Sequence, residues 1–125
     1  MAAEYGAQAD FLVVYIREAH AVDSEWPMRE EGQPVIEQPL DLHERRAVAA
    51  SCLGTLALNP LPAVLDEMDD AVSTAWEACP DRLVLIEARG DVAFRGGPGP
   101  FGFEPDELEG ALRRELALPA RAPAR

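Results

Sequence analysis

A chain of 125 residues has room for one domain with a modest core. Its 48% hydrophobic and 27% charged residues are those of an ordinary soluble globular protein. A formal net charge of -12 excludes the positive footprint that nucleic acid or an anionic membrane surface needs. All 11 basic residues are Arg. With Ala, Pro and Gly abundant, this is the codon bias of a GC-rich genome, so a single Arg carries little weight. Cys52 and Cys79 form no CxxC, no zinc spacing and no disulfide framework. The N-terminus lacks the basic start and apolar core of a signal peptide, and no apolar stretch approaches the ~20 residues of a membrane span. The expected setting is cytoplasmic and reducing.

In chain order, Met1 to Ala9 has helical character but is too short for a stable helix alone. Phe11-Leu12-Val13-Val14-Tyr15-Ile16 is a continuous apolar run that suits a strand buried on both faces, as in a parallel sheet. A long irregular segment, Ala19 to Asp41, holds Trp26-Pro27, Gly32, Pro34 and Pro39, with Val35-Ile36 as a short edge strand. Asp41 is a suitable N-cap with Glu44 as its capping-box partner, and the helix should run to Leu56 with Leu42, Val48, Ala49, Cys52 and Leu56 inward. Asn59-Pro60-Leu61-Pro62 breaks it. Ala63 to Asp66 reads as a strand, and Glu67 to Cys79 as an acidic helix with Val72, Ala75, Trp76 and Cys79 inward. Leu83 to Ile86 and Val92 to Arg95, joined through Arg89-Gly90-Asp91, read as a β-hairpin. A restricted loop, Gly96 to Phe103, precedes a last helix opened by Pro105, with Leu108, Ala111, Leu112 and Leu116 inward. The tail from Pro119 to Arg125 reads as flexible, which leaves one domain over residues 1–118.

The chemistry is expected where the first strand ends. Ligands collect at the carboxyl ends of strands in open α/β sheets. If the strand persists, Glu18 and His20 point to one side, and a carboxylate beside an imidazole fixes its tautomer and raises its basicity. The same pattern also fits polar residues that only meet solvent. A metal site built on His20 and His43 has no supporting ligand spacing.

The element order predicts a parallel early pair joined by a right-handed crossover. A pre-strand proline, Pro80, then a hairpin and a closing helix resembles the C-terminal half of a thioredoxin fold, in which that proline is typically cis. The fold class expected is α/β, a thioredoxin-like three-layer fold with a mixed sheet, incomplete at its N-terminus.

FLVVYIREAHAVDSEW resembles the signature of the iodothyronine deiodinase family, in which Tyr-Ile-x-Glu-Ala-His leads to an Asp and a Trp. Later pieces agree in order: Glu44-Arg45-Arg46-Ala47, Val64-Leu65-Asp66, Met68-Asp69-Asp70, Pro80-Asp81-Arg82-Leu83 and Gly96-Gly97-Pro98-Gly99-Pro100. The resemblance implies a thiol-dependent oxidoreductase in which a selenocysteine or cysteine attacks iodine on a phenolic ring and thiols regenerate the enzyme. It implies catalytic roles for His20, Glu18 and Tyr15, substrate contact by Arg82, no cofactor beyond a thiol co-substrate, and no metal.

Two departures stand out. The family's nucleophile precedes the first strand and is absent from this chain, and Cys52 and Cys79 read as buried inert thiols. Pro39 stands where animal members carry a further His. A selenocysteine codon read as a stop would place the recorded start at Met1, with an in-frame UGA or UGC upstream as its sign. One face of the strand at Phe11 to Ile16 would then be uncovered, which predicts marginal stability or a homo-oligomer. The bacterial-looking composition points to small halogenated phenols or a peroxide rather than thyroid hormone. The competing reading is a non-catalytic thioredoxin-like binding module.

Overall fold

The computed structural model describes residues 1–28, 35–58 and 60–121. Gly32, Pro34, Asn59 and the last residues of the tail lie outside this range. Eight elements follow in order among the described residues: α1 (Ala2–Tyr5), β1 (Val13–Tyr15), α2 (Leu42–Thr55), β2 (Ala63–Leu65), α3 (Ala71–Trp76), β3 (Val84–Ile86), β4 (Val92–Arg95) and α4 (Pro105–Glu115). The order matches the expectation, and several boundaries contract.

The capping box at α2 forms with one variation. The Asp41 carboxylate accepts from the Glu44 amide at 2.8 Å, while the Glu44 carboxylate reaches past the cap to the Leu40 amide, also at 2.8 Å. β1 pairs with β2 in parallel, Val13 opposite Ala63 and Tyr15 opposite Leu65. β3 and β4 form the antiparallel hairpin, turned at Gly90, whose φ of 101° suits glycine. The Cys79–Pro80 and Gly99–Pro100 peptides are cis.

Among the described residues the single mixed sheet expected from the sequence is not formed. The parallel pair and the antiparallel pair are separate two-stranded sheets. β1 also ends at Tyr15, short of Ile16, because β2 is the only strand that hydrogen-bonds it among the described residues. Val35-Ile36 forms no strand; one backbone bond, from the Val22 amide to the Ile36 carbonyl at 2.9 Å, ties it to the loop.

α4 packs on β3 and β4, and α2 packs on β2. Ala111 and Leu112 are buried as expected, whereas Leu42 and Leu56 of α2 and Val72 of α3 are exposed and Ser73 is buried. The short α1 is held by Tyr5, whose buried hydroxyl donates to Glu109 Oε1 at 2.5 Å and accepts from Arg113. The accepting Glu109 carboxylate raises the Tyr5 pKa and is itself lowered by that bond.

α3 is shorter than its acidic sequence suggests because Asp66, directly after β2, takes over its start. The carboxylate is 1% exposed and accepts from the amides of Glu67 at 2.9 Å, Val72 at 2.9 Å and Ser73 at 2.7 Å. Asp70 turns left-handed at the helix start (φ 55°). The buried Arg45 of α2 closes the knot, donating to the carbonyls of Asp66 and Glu67 and to Asp70 Oδ1 at 3.0 Å.

Candidate functional site

A cleft of about 1300 Å³ opens between the two small sheets. Its lining includes Tyr15, Glu18 and His20 from β1 and the segment after it, Cys52 from α2, and Pro80 and Arg82 before β3. All four residues singled out by the sequence, His20, Glu18, Tyr15 and Arg82, therefore border one cavity. They do so by a different route from the one expected, because β1 has already ended when Glu18 and His20 arrive.

His20 is exposed, and its Nδ1 lies 3.0 Å from the Trp26 carbonyl oxygen. A carbonyl only accepts, so Nδ1 carries the hydrogen and Nε2 of the neutral ring keeps its lone pair. The tautomer is thus set by the loop backbone and not by Glu18. The Met28 amide returns to the His20 carbonyl at 3.2 Å, which closes the segment on itself. Glu18 is half-buried, and its backbone carbonyl accepts from the Gln38 side chain. Burial pushes the Glu18 pKa up, and the positive charge available to His20 partly offsets this.

Tyr15 is half-buried, and its hydroxyl oxygen is buried without a hydrogen-bond partner among the described residues. Arg82 is partly committed. Its Nε donates to the Glu77 carbonyl at 2.9 Å and its Nη1 to the Gly96 carbonyl at 2.8 Å, which leaves the remaining guanidinium hydrogens for other acceptors.

The cysteines are not both buried as expected. Cys52 is half-buried and borders the cleft, where burial and then the nearby Glu18 carboxylate push its thiol pKa up. Cys79 is exposed. Sequence reading missed the Trp26 carbonyl, because no pattern reveals which backbone oxygen a loop presents. It missed the Cys52–Glu18 proximity because the two are far apart in the chain.

The Gly-Gly-Pro-Gly-Pro loop is a shaped connector. The Gly99 amide donates to the Asp81 carbonyl at 3.1 Å, and a Cβ on Gly99 would lie 2.2 Å from the Asp81 carboxylate. A Cβ on Gly102 would lie 2.4 Å from the Gly97 carbonyl carbon. The approach at Gly102 is to backbone and requires glycine, whereas at Gly99 it is to a side chain that can turn aside. No cluster of three or more His, Cys, Asp and Glu side chains suited to a metal ion occurs among the described residues, nor is any described helix long and apolar enough to cross a membrane.

Comparison with known proteins adds ancestry to this geometry. The family model for iodothyronine deiodinase matches residues 1–116. The chain is 34% identical over 113 residues to a type I iodothyronine deiodinase of Xenopus laevis, covering 90% of this chain and 42% of that protein. It is 34% identical over 110 residues to a type II iodothyronine deiodinase of Petromyzon marinus, covering 87% and 37%. A thyroxine 5-deiodinase of Rattus norvegicus is 34% identical over 111 residues, covering 89% and 35%. The chain thus spans less than half the length of these relatives. It belongs to the iodothyronine deiodinase family.

Proposed function

We propose that this chain carries the proton-handling part of a reductive dehalogenation site, in a thioredoxin-like frame. The observation that supports it is the arrangement of His20, whose Nδ1 is anchored on the Trp26 carbonyl while Nε2 makes no hydrogen bond among the described residues, at a cleft shared with Glu18. In reductive deiodination an aryl iodide and a chalcogen nucleophile, sulfur or selenium, give the arene and a chalcogen–iodine bond. The ring carbon gains a proton where iodine left. Two thiols then return the chalcogen to its reduced form, yielding a disulfide and hydrogen iodide. Protonated at Nε2, His20 donates to the carbon; neutral, it accepts the proton from the nucleophile. Tyr15 has an uncommitted hydroxyl, and Arg82 has free guanidinium hydrogens, for the phenolic oxygen of a small halogenated aromatic.

Cys52 does not suit the nucleophile's role, and Cys79 is not among the residues that line the cleft. Reactive thiols have depressed pKa values, and Cys52 is shifted the other way. That observation favours a second reading, a non-catalytic module that binds an aromatic without turning it over. Iodide release from a diiodinated phenol decides between them, with dithiothreitol supplying both the thiolate that takes the iodine and the second thiol that closes the disulfide. Release that falls about 10²- to 10⁴-fold in His20→Ala supports the catalytic reading. Release indifferent to His20→Ala defeats it. No release by the unmodified chain, with the phenol still shifting the His20 ring signals, establishes the second.

A further inference from the structure

We infer that Gln38 is a positioning residue for His20, fixing the ring at the cleft by tying both arms of its loop to one short segment. Its purpose rests on the proton-handling reading above; the tie itself is a matter of the chain's own bonds. Gln38 acts twice. Its side-chain amide donates to the Glu18 carbonyl, and its backbone amide donates to Asp23 Oδ1 at 2.9 Å. Two residues earlier, the Ile36 carbonyl accepts from the Val22 amide at 2.9 Å. The run from Glu18 to Asp23 is therefore held against residues 36–38 at Glu18, Val22 and Asp23. His20 stands midway between the first two of these points.

This hold matters because the ring has a single anchor. His20 Nδ1 meets the Trp26 carbonyl at 3.0 Å, and His20 is exposed, so packing contributes little to fixing the imidazole. No hydrogen bond joins the Glu18 carboxylate to the ring among the described residues, so the orientation is carried by backbone. A carbonyl sets a ring's tautomer only while donor and acceptor stay in register. The stretch between them is shaped by a turn. Ala21 is fully buried, and its carbonyl accepts from the Ser24 amide at 2.9 Å and the Ser24 hydroxyl at 2.7 Å. Asp23 lies inside that turn and carries the bond to Gln38.

Two prolines stiffen the arrangement. Trp26 precedes Pro27 and Gln38 precedes the buried Pro39, and a residue so placed is restricted to extended backbone. The carbonyl that faces His20 and the amide that faces Asp23 thus come from backbone with little freedom. Glutamine also supplies its side-chain donor without placing a charge beside Glu18 and His20, which Lys or Arg would do.

The test follows the His20 ring nitrogens by NMR on the 125-residue chain, in mildly alkaline buffer where an imidazole is neutral. The chain has 2 histidines, so His43→Gln leaves one ring to assign. The unmodified chain is expected to hold the Nδ1–H form. Gln38→Met keeps the length and loses the donor, and the ratio of Nδ1–H to Nε2–H should fall about fivefold, the factor one net hydrogen bond carries. Asp23→Ala should lower it similarly, while Asp23→Asn, which keeps the acceptor, should retain it. A role confined to folding lowers the urea midpoint of these variants and leaves the ratio alone, and that result overturns the inference. So does a dominant Nε2–H form in the unmodified chain, or an Asp23→Asn ratio no higher than that of Asp23→Ala. Iodide release is read in parallel. Its absence from the unmodified chain defeats the catalytic reading alone, and the ring measurement still decides the positioning role.

Discussion

β1 and β2 run side by side, and each is followed by a carboxylate, Glu18 after one and Asp66 after the other. Their fates differ. Asp66 has both oxygens engaged by backbone amides, and the guanidinium of Arg45 locks the turn beneath it. Glu18 is half-buried beside a His held by one bond and a cleft open to solvent. The first is a completed structural device. The second bears the cost of partial burial without an ion-pair partner among the described residues, the condition of groups kept ready for a ligand or a proton.

Substitutions can break or sharpen that contrast. Asp66→Ala leaves three amides and the Arg45 knot unsupported, and should cost about 3 kcal/mol in urea unfolding. Glu18→Ala should stay within about 0.5 kcal/mol, and near-equal costs would end the contrast. Arg45→Lys keeps the charge but loses the fork that reaches two carbonyls and Asp70, at about 2 kcal/mol. Asp41→Ala removes an exposed helix cap and should cost about 1 kcal/mol, between the extremes.

The smallest effect is on pH dependence. The folded chain holds the Glu18 proton above the ordinary value of 4.5, so it binds more protons than the unfolded chain from there up to the raised value. Stability contributed by this group therefore falls as pH rises through that window. Solvent screening of the half-exposed carboxylate keeps the effect small. Glu18→Gln should flatten this part of the stability profile, and an unchanged slope would remove burial as the cause.

The sequence made the periodic and turn-encoded features legible. The capping box at Asp41, the glycine turn at Gly90, Pro105 at the start of α4 and the apolar face around Leu112 each follow from local rules. The Glu18–His20 pair was legible through its family signature. What escaped was set by distant partners. Asp66 looked like the end of a strand, and its capture of the Val72 and Ser73 amides shortened α3. Arg45 was discounted with the other arginines, yet it is buried with two of its nitrogens bonded across α2 and β2. Leu42 and Leu56 were read as inward positions but remain exposed, because apolar and polar residues are spread around α2 with little segregation to one face.

The edges of β1 and β3 that no strand takes among the described residues bear on how the chain behaves in concentrated solution. Open apolar edges invite copies to stack, and the charge of -12 opposes this by mutual repulsion at a distance. That protection is ionic and can be screened: its reach shrinks from about 30 Å at 0.01 M salt to about 8 Å at 0.15 M. It also vanishes near the isoelectric point of about 4.4. Light scattering should therefore find dispersed chains in dilute buffer at neutral pH, and growing clusters as salt is added or acid approaches that point.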